Sequence, residues 1–137
     1  MKRVLVAYDG SESADKAFSV GLELAGKYGA EIYVLAVARG PEFGSEVETE
    51  AVIENSKHHY RQILKPLHPL AKASGLKAQF HVVVGHPAEQ VVRHAEDWKI
   101  DLIIVGHRGR TLFERWLVGS VAKYVINHSP CSVLIAR

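Results

Sequence analysis

Four short runs constrain this chain more than any other feature: RVLVAY (3–8), IYVLAV (32–37), LIIVG (102–106) and SVLIAR (132–137). All are rich in Val, Ile and Leu, and none alternates apolar with polar residues. A strand with one wet face must alternate, so these runs predict strands covered on both faces, as in a parallel sheet. A fifth run, AQFHVVVG (78–85), is more mixed and predicts an edge or near-edge strand.

Helical spacing fills the intervals. Ala14, Ala17, Phe18, Gly21, Leu24, Ala25 and Tyr28 recur at steps of three and four, which predicts a helix with that face buried. Ser11 is placed to cap its start and Gly29 to stop it. The segment from about Glu46 to Ser74 is mostly helical in pattern and ends at Gly75, with a kink or break expected at Pro66 and Pro69. A third helix opens at Pro87, a good first helical position, and presents Ala88, Val91, Val92, Ala95 and Trp98 for burial. A fourth begins near Gly119–Ser120, presents Val121, Ala122, Val125 and Ile126, and is closed by Pro130.

The order β-α-β-α-β-α-β-α-β predicts one α/β domain over residues 1–137. Its expected form is a doubly wound, Rossmann-like open sheet of five mainly parallel strands with helices on both faces. Such sheets bind ligands beyond the carboxyl ends of their strands, where the strand order reverses. The residues to watch are therefore Asp9–Ser11, Val37–Arg39 and Gly106–Arg110. The least regular stretch, ARGPEFGSEVET (38–49), is expected to form a loop close to that end.

Composition narrows the function classes. The chain has 137 residues, enough for one core, and its 47% hydrophobic and 23% charged content are those of an ordinary globular protein. A net charge of +2 gives no argument for nucleic acid or an anionic membrane. There is no 18-residue apolar run for a bilayer, and the first apolar run stops at Asp9, too early for a signal-peptide core. The single Cys131 has no internal disulfide partner and reads as a packed small residue. The cytoplasm is the expected location.

Two motifs are decoys. GLELAGKY (21–28) has the glycines and lysine of a phosphate loop but Tyr28 in place of Ser or Thr, and it lies inside a helix instead of opening one. The eight histidines suggest metal, yet His58 and His59 are adjacent and diverge by about 100° on a helix. The others lack partners at ligand spacing, so no dedicated metal site is expected. His107 differs because it lies between two glycines.

GHRGRTLFERWLVGS (106–120) places Gly106 at a strand end, Gly109 three residues further on, and Gly119–Ser120 at a helix start. Free N–H groups and the helix dipole there favour an anion. Residue chemistry alone leaves two readings open: a backbone cradle for phosphate, or a glycine-assisted loop followed by an ordinary cap. Ser120 is a hydroxyl donor in the first and the cap in the second. Arg108 and Arg110 are likewise either phosphate partners or solvated loop residues.

The spacing glycine, two residues, glycine, nine residues, glycine, serine resembles the fingerprint of ATP-binding universal stress proteins and matches it at every fixed position. The resemblance covers the whole chain, through VLVAYDGSESADKA (4–17), GHPAEQVV (85–92) and GSVAKYVINHSPCSVLIAR (119–137). It implies that Asp9, with Ala7 beside it, meets the nucleoside and that the backbone of Val37 reads the adenine edge. Gly106 and His107 would lie near the ribose and first phosphates, and Gly109, Gly119, Ser120 and Val121 would hold the phosphates. The implied cofactors are ATP or another adenine nucleotide and Mg2+, the metal held through the phosphates and water.

No Walker lysine or clear catalytic base accompanies these residues, His107 being the one candidate. The expectation is a nucleotide-dependent switch or sensor in the stress response, with at most slow ATP hydrolysis. A nucleotide-independent dimeric interaction module of the same fold is the alternative, since some family members lack the fingerprint. An adenylate-forming or pyrophosphatase enzyme would need its own loop signature after the first strand, which AYDGSESA does not provide. The apolar last strand, CSVLIAR, has nothing left in sequence to cover its outer edge, and relatives it resembles pair there. A homodimer through residues 131–137 is expected.

Overall fold

A computed structural model describes residues 1–39, 46–108 and 119–137, with the side chains of 46–49 excepted. Five strands, β1 (Arg3–Ala7), β2 (Glu31–Ala38), β3 (Ala78–Val84), β4 (Leu102–Gly106) and β5 (Ser132–Ala136), alternate with helices. The helices are α1 (Glu12–Tyr28), α2 (Glu46–Leu64), α3 (Leu67–Ala73), α4 (Pro87–Asp97) and α5 (Ser120–His128). The strands form one sheet in the order β3-β2-β1-β4-β5. Every neighbouring pair is parallel, and the mixed run at 78–84 is an edge strand, as its composition predicts.

The unalternating runs follow from burial on two sides. Val4 and Val6 of β1 enter one cluster with Ala17 and Phe18 of α1 and Leu64 of α2. Leu5 between them enters the opposite cluster with Val91 and Ala95 of α4 and Ala122 and Val125 of α5. Successive side chains leave opposite faces of a strand, so a strand buried on both faces has no position for a polar residue. Complete burial of a side chain such as Leu5 removes about 1.5–3 kcal/mol of unfavourable hydration.

Helix limits obey local chemistry. Ser11 Oγ accepts the Ala14 N–H at 3.1 Å, and Gly29, at φ +67°, closes α1 in the left-handed conformation that a Cβ disfavours. The 21–28 decoy is accordingly an uninterrupted part of α1. The break between α2 and α3 comes at Lys65–Pro66. Pro69 breaks nothing, because it lies in the first turn of α3, where its missing N–H has no intrahelical role. Two expected burials fail: Tyr28 is 58% exposed at the last position of α1, and Ile126 is 50% exposed on α5.

Candidate functional site

From β1 the chain passes to β2 and then β3 on one side, and later returns to place β4 and β5 on the other. The reversal creates a crevice at the carboxyl ends of β1 and β4. A cavity of about 610 Å³ opens there, a size typical of small-molecule sites. The strand-end positions marked by the sequence line it: Asp9 and Ser11 after β1, Val37 and Arg39 at β2, Gly106 and Arg108 at β4. Ala7, Gly119, Ser120 and Val121 line it too. Gly109 and Arg110 lie outside the described residues.

The β1–α1 turn is built by short polar contacts. Asp9 Oδ1 accepts the Ser11 N–H at 2.9 Å, while Ser11 caps α1. Gly10 takes φ +83°, a left-handed value that favours glycine. The Tyr8 hydroxyl donates to Asp15 Oδ1. Burial and, next, that carboxylate push the phenol well above its ordinary pKa, so Tyr8 meets the cavity as a neutral, already engaged group.

At the other side of the crevice Gly119 is the cap residue of α5, with no side chain bonded to the first turn. Ser120 is therefore the first helical residue, exposed, and not the cap. The Gly119 N–H donates to the His107 carbonyl at 2.8 Å, and α5 begins its own bonding with Lys123 N–H to Gly119 O at 2.9 Å. The first-turn N–H groups of Ser120, Val121 and Ala122 consequently have no acceptor within the helix. All three residues line the cavity.

His107 does not line the cavity. Its N–H donates to Ala136 O at 2.9 Å, and its ring Nδ1 lies 3.4 Å from Ser13 Oγ. Together with the Gly119 contact, these bonds tie β5, α5 and α1 to the end of β4. The ring is turned to Ser13. Gly106 has a packing reason as well: an added Cβ would lie 2.6 Å from Ser13 Cβ and 2.9 Å from its carbonyl carbon.

Among the described lining residues Asp9 is the one carboxylate, against the two cations Arg39 and Arg108. The described residues contain no group of three or more His, Cys, Asp or Glu placed to hold a metal ion. No helix among them is long and apolar enough to cross a membrane. Sequence reasoning missed six lining residues from the helices, Ala14 of α1, Ser56 and Tyr60 of α2, Pro87 and Val91 of α4 and Ala122 of α5. The four-residue step from Ser56 to Tyr60 puts them on one helical face, but nothing in their spacing says which face meets the strand ends.

The profile described as the universal stress protein family matches residues 1–137. A universal stress protein of Methanocaldococcus jannaschii is 32% identical over 139 residues, which cover 99% of this chain and 82% of that protein. The solved structure of universal stress protein UspA from Lactobacillus plantarum has the same fold, with a TM-score of 0.90 at 23% identity over 99% of this chain and 97% of that one. A universal stress protein solved in complex with cAMP is similar at a TM-score of 0.77 and 26% identity, again over 99% and 97% of the two chains.

Proposed function

The chain belongs to the universal stress protein family, and from that membership and its crevice we propose that it binds an adenine nucleotide. Residues 1–137 act as one nucleotide-binding domain, a switch or sensor in the stress response of the cytoplasm, with slow or no hydrolysis. One observation carries the reading. The uncapped first turn of α5 opens into the same cavity as the ends of β1, β2 and β4. Three N–H groups and a helix dipole favour phosphate there, and Arg108 adds charge. The related protein solved with cAMP supports an adenine nucleotide as the ligand class.

The residues divide by position. Val37 offers backbone groups to the adenine edge, and Ala7 and Asp9 adjoin the nucleoside. Gly106 lets the chain pass close beneath it, and the amides of Ser120 and Val121 hold phosphate. Gly119 contributes as the uncapped turn, since its own N–H is bonded to His107. The single carboxylate among the described lining residues cannot by itself cage magnesium. Mg2+ fits as an ion held by the nucleotide's phosphates and water, where it supplies charge neutralisation.

Slow hydrolysis follows from what the crevice offers to a water nucleophile. His107, the candidate base, is turned to Ser13, and no lysine is among the described lining residues. Phosphoryl transfer at an ordinary enzyme rate needs a positioned nucleophile and strong charge stabilisation. Turnover above about 1 s⁻¹ contradicts this part of the reading.

The test is to purify the protein without added nucleotide, denature it and chromatograph what is released, then titrate it with ATP and magnesium. A stoichiometric adenine nucleotide from either step supports the proposal and identifies the ligand. Failure of both transfers the function to an interaction module that uses the same fold without nucleotide.

A further inference from the structure

One wall of the cavity is explained neither by the strand ends nor by the glycine motif. Ser56 and Tyr60 of α2 both line it, and residues four apart share a helical face. α2 packs on β2 and β3, beside the end of β2 where Val37 and Arg39 line the same space. Ile63, three residues after Tyr60, fixes the helix over the β1–α1 turn: a Cβ at Gly10 would lie 3.2 Å from Ile63 Cδ1. Tyr60 and Ile63 are partly buried against the same core cluster, and the His59 ring meets Tyr60 edge-on at 5.3 Å between centroids. The phenol is thus seated on its helix and presented to the cavity.

We propose that Tyr60 contacts the base of the bound nucleotide, packing its ring against the purine; this rests on reading the crevice as an adenine-nucleotide site. β2 and β4 flank β1, so their ends are two strand spacings, about 9–10 Å, apart. That distance matches the reach of a nucleotide from phosphate to base. A phosphate at the start of α5, beside β4, therefore leaves the base at the end of β2. There the cavity is apolar on the α4 side, with Leu35, Val91 and Pro87, and aromatic on the α2 side, with Tyr60. α2 and α4 cover opposite faces of the sheet, so a planar base lies between them. Aromatic stacking accepts any base. Tyr60 supplies affinity for the base, and the choice of adenine stays with the backbone of Val37.

Calorimetric titration with AMP of the wild type, Tyr60→Ala and Tyr60→Phe tests the contact, with circular dichroism to check each fold. Loss of the ring is expected to weaken AMP about tenfold or more, and Phe, which keeps the ring, to recover most of the loss. In parallel, 8-azidoadenosine nucleotide photolabelling of the wild type, with the azide on the base, is expected to mark the peptide that carries Tyr60. Equal AMP affinity in Tyr60→Ala and wild type overturns the inference, as does an Ala defect that Phe does not relieve. Photolabel confined to peptides outside α2 overturns it even where the Ala variant is misfolded. Failure of the underlying reading looks different, because the wild type itself would then take up neither AMP nor ATP.

Discussion

Gly106 and Gly26 show how differently one residue type can be used. At Gly106 a methyl group would press on the backbone and side chain of Ser13 at 2.6–3.0 Å, where α1 crosses the end of β4. Gly106→Ala is expected to destabilise the fold by about 1–3 kcal/mol, read as a lower urea midpoint, and to weaken nucleotide binding with it. Gly26 has nothing within 4 Å of such a methyl and sits inside α1. Gly26→Ala should therefore stabilise the fold by about 0.5–1 kcal/mol, read as a higher urea midpoint. A glycine motif read from spacing alone cannot separate these cases; the sequence shows that Gly106 ends a strand, but not that α1 crosses it. Asp101 makes a second residue-scale prediction. Its Oδ2 accepts the N–H groups of Lys2 at 2.7 Å and Arg3 at 2.9 Å, and these bonds hold the carboxyl below its ordinary value. A depressed folded pKa means the stabilisation is complete above about pH 4, the unfolded value, and is lost as pH falls through the lower folded one. Asp101→Asn should be less stable than wild type at pH 7, and the gap should narrow as pH falls below about 4. A gap independent of pH would show that the charge has no part in it.

Among the elements, strands and caps were legible because their causes are local. Unalternating apolar runs require two covered faces, Ser11 and Gly29 terminate α1 by their own chemistry, and the switch-point rule then marks Asp9, Val37 and Gly106. The fit of α2 was not legible. Its only fully buried side chain among the described residues is Leu64, so its hydrophobic pattern scarcely defines an inward face, and its place over Gly10 depends on Ile63 meeting a turn far away in sequence. The orientation of His107 is illegible for a related reason: lying between two glycines puts it near the crevice, but Ser13 on α1 determines where its ring points. An element held by so few buried side chains opens at low cost. If a base docks against Tyr60, saturating AMP should slow amide hydrogen exchange across residues 50–64 severalfold, while the centre of β1, already buried, changes little. Unaltered exchange in α2 alongside measured AMP binding would place the ligand elsewhere in the cavity.

At the scale of the molecule, the sheet has two ends and they are unlike. β3 carries Gln79 and His81, polar groups of the kind that discourage pairing at an edge. β5 carries Val133, Leu134 and Ile135 in succession, all only half-buried, and beyond its pairing with β4 the described residues offer no strand for its outer edge. An apolar edge with unmet N–H and C=O groups is completed most simply by a second copy of itself. A two-fold axis across that edge sets the two β5 strands antiparallel, so each residue on one finds the same surface on the other. We propose this homodimer through residues 131–137. Sedimentation should give about twice the 15.1 kDa chain mass at micromolar concentration. Val133→Pro, which removes a backbone donor and fixes φ in the middle of the strand, should give a monomer with the helical circular dichroism of the wild type. Nucleotide binding should survive in that monomer, because no lining residue of the cavity comes from β5. A wild type that sediments as a monomer across the whole concentration range would end the pairing proposal, and a Val133→Pro dimer would move the interface away from β5.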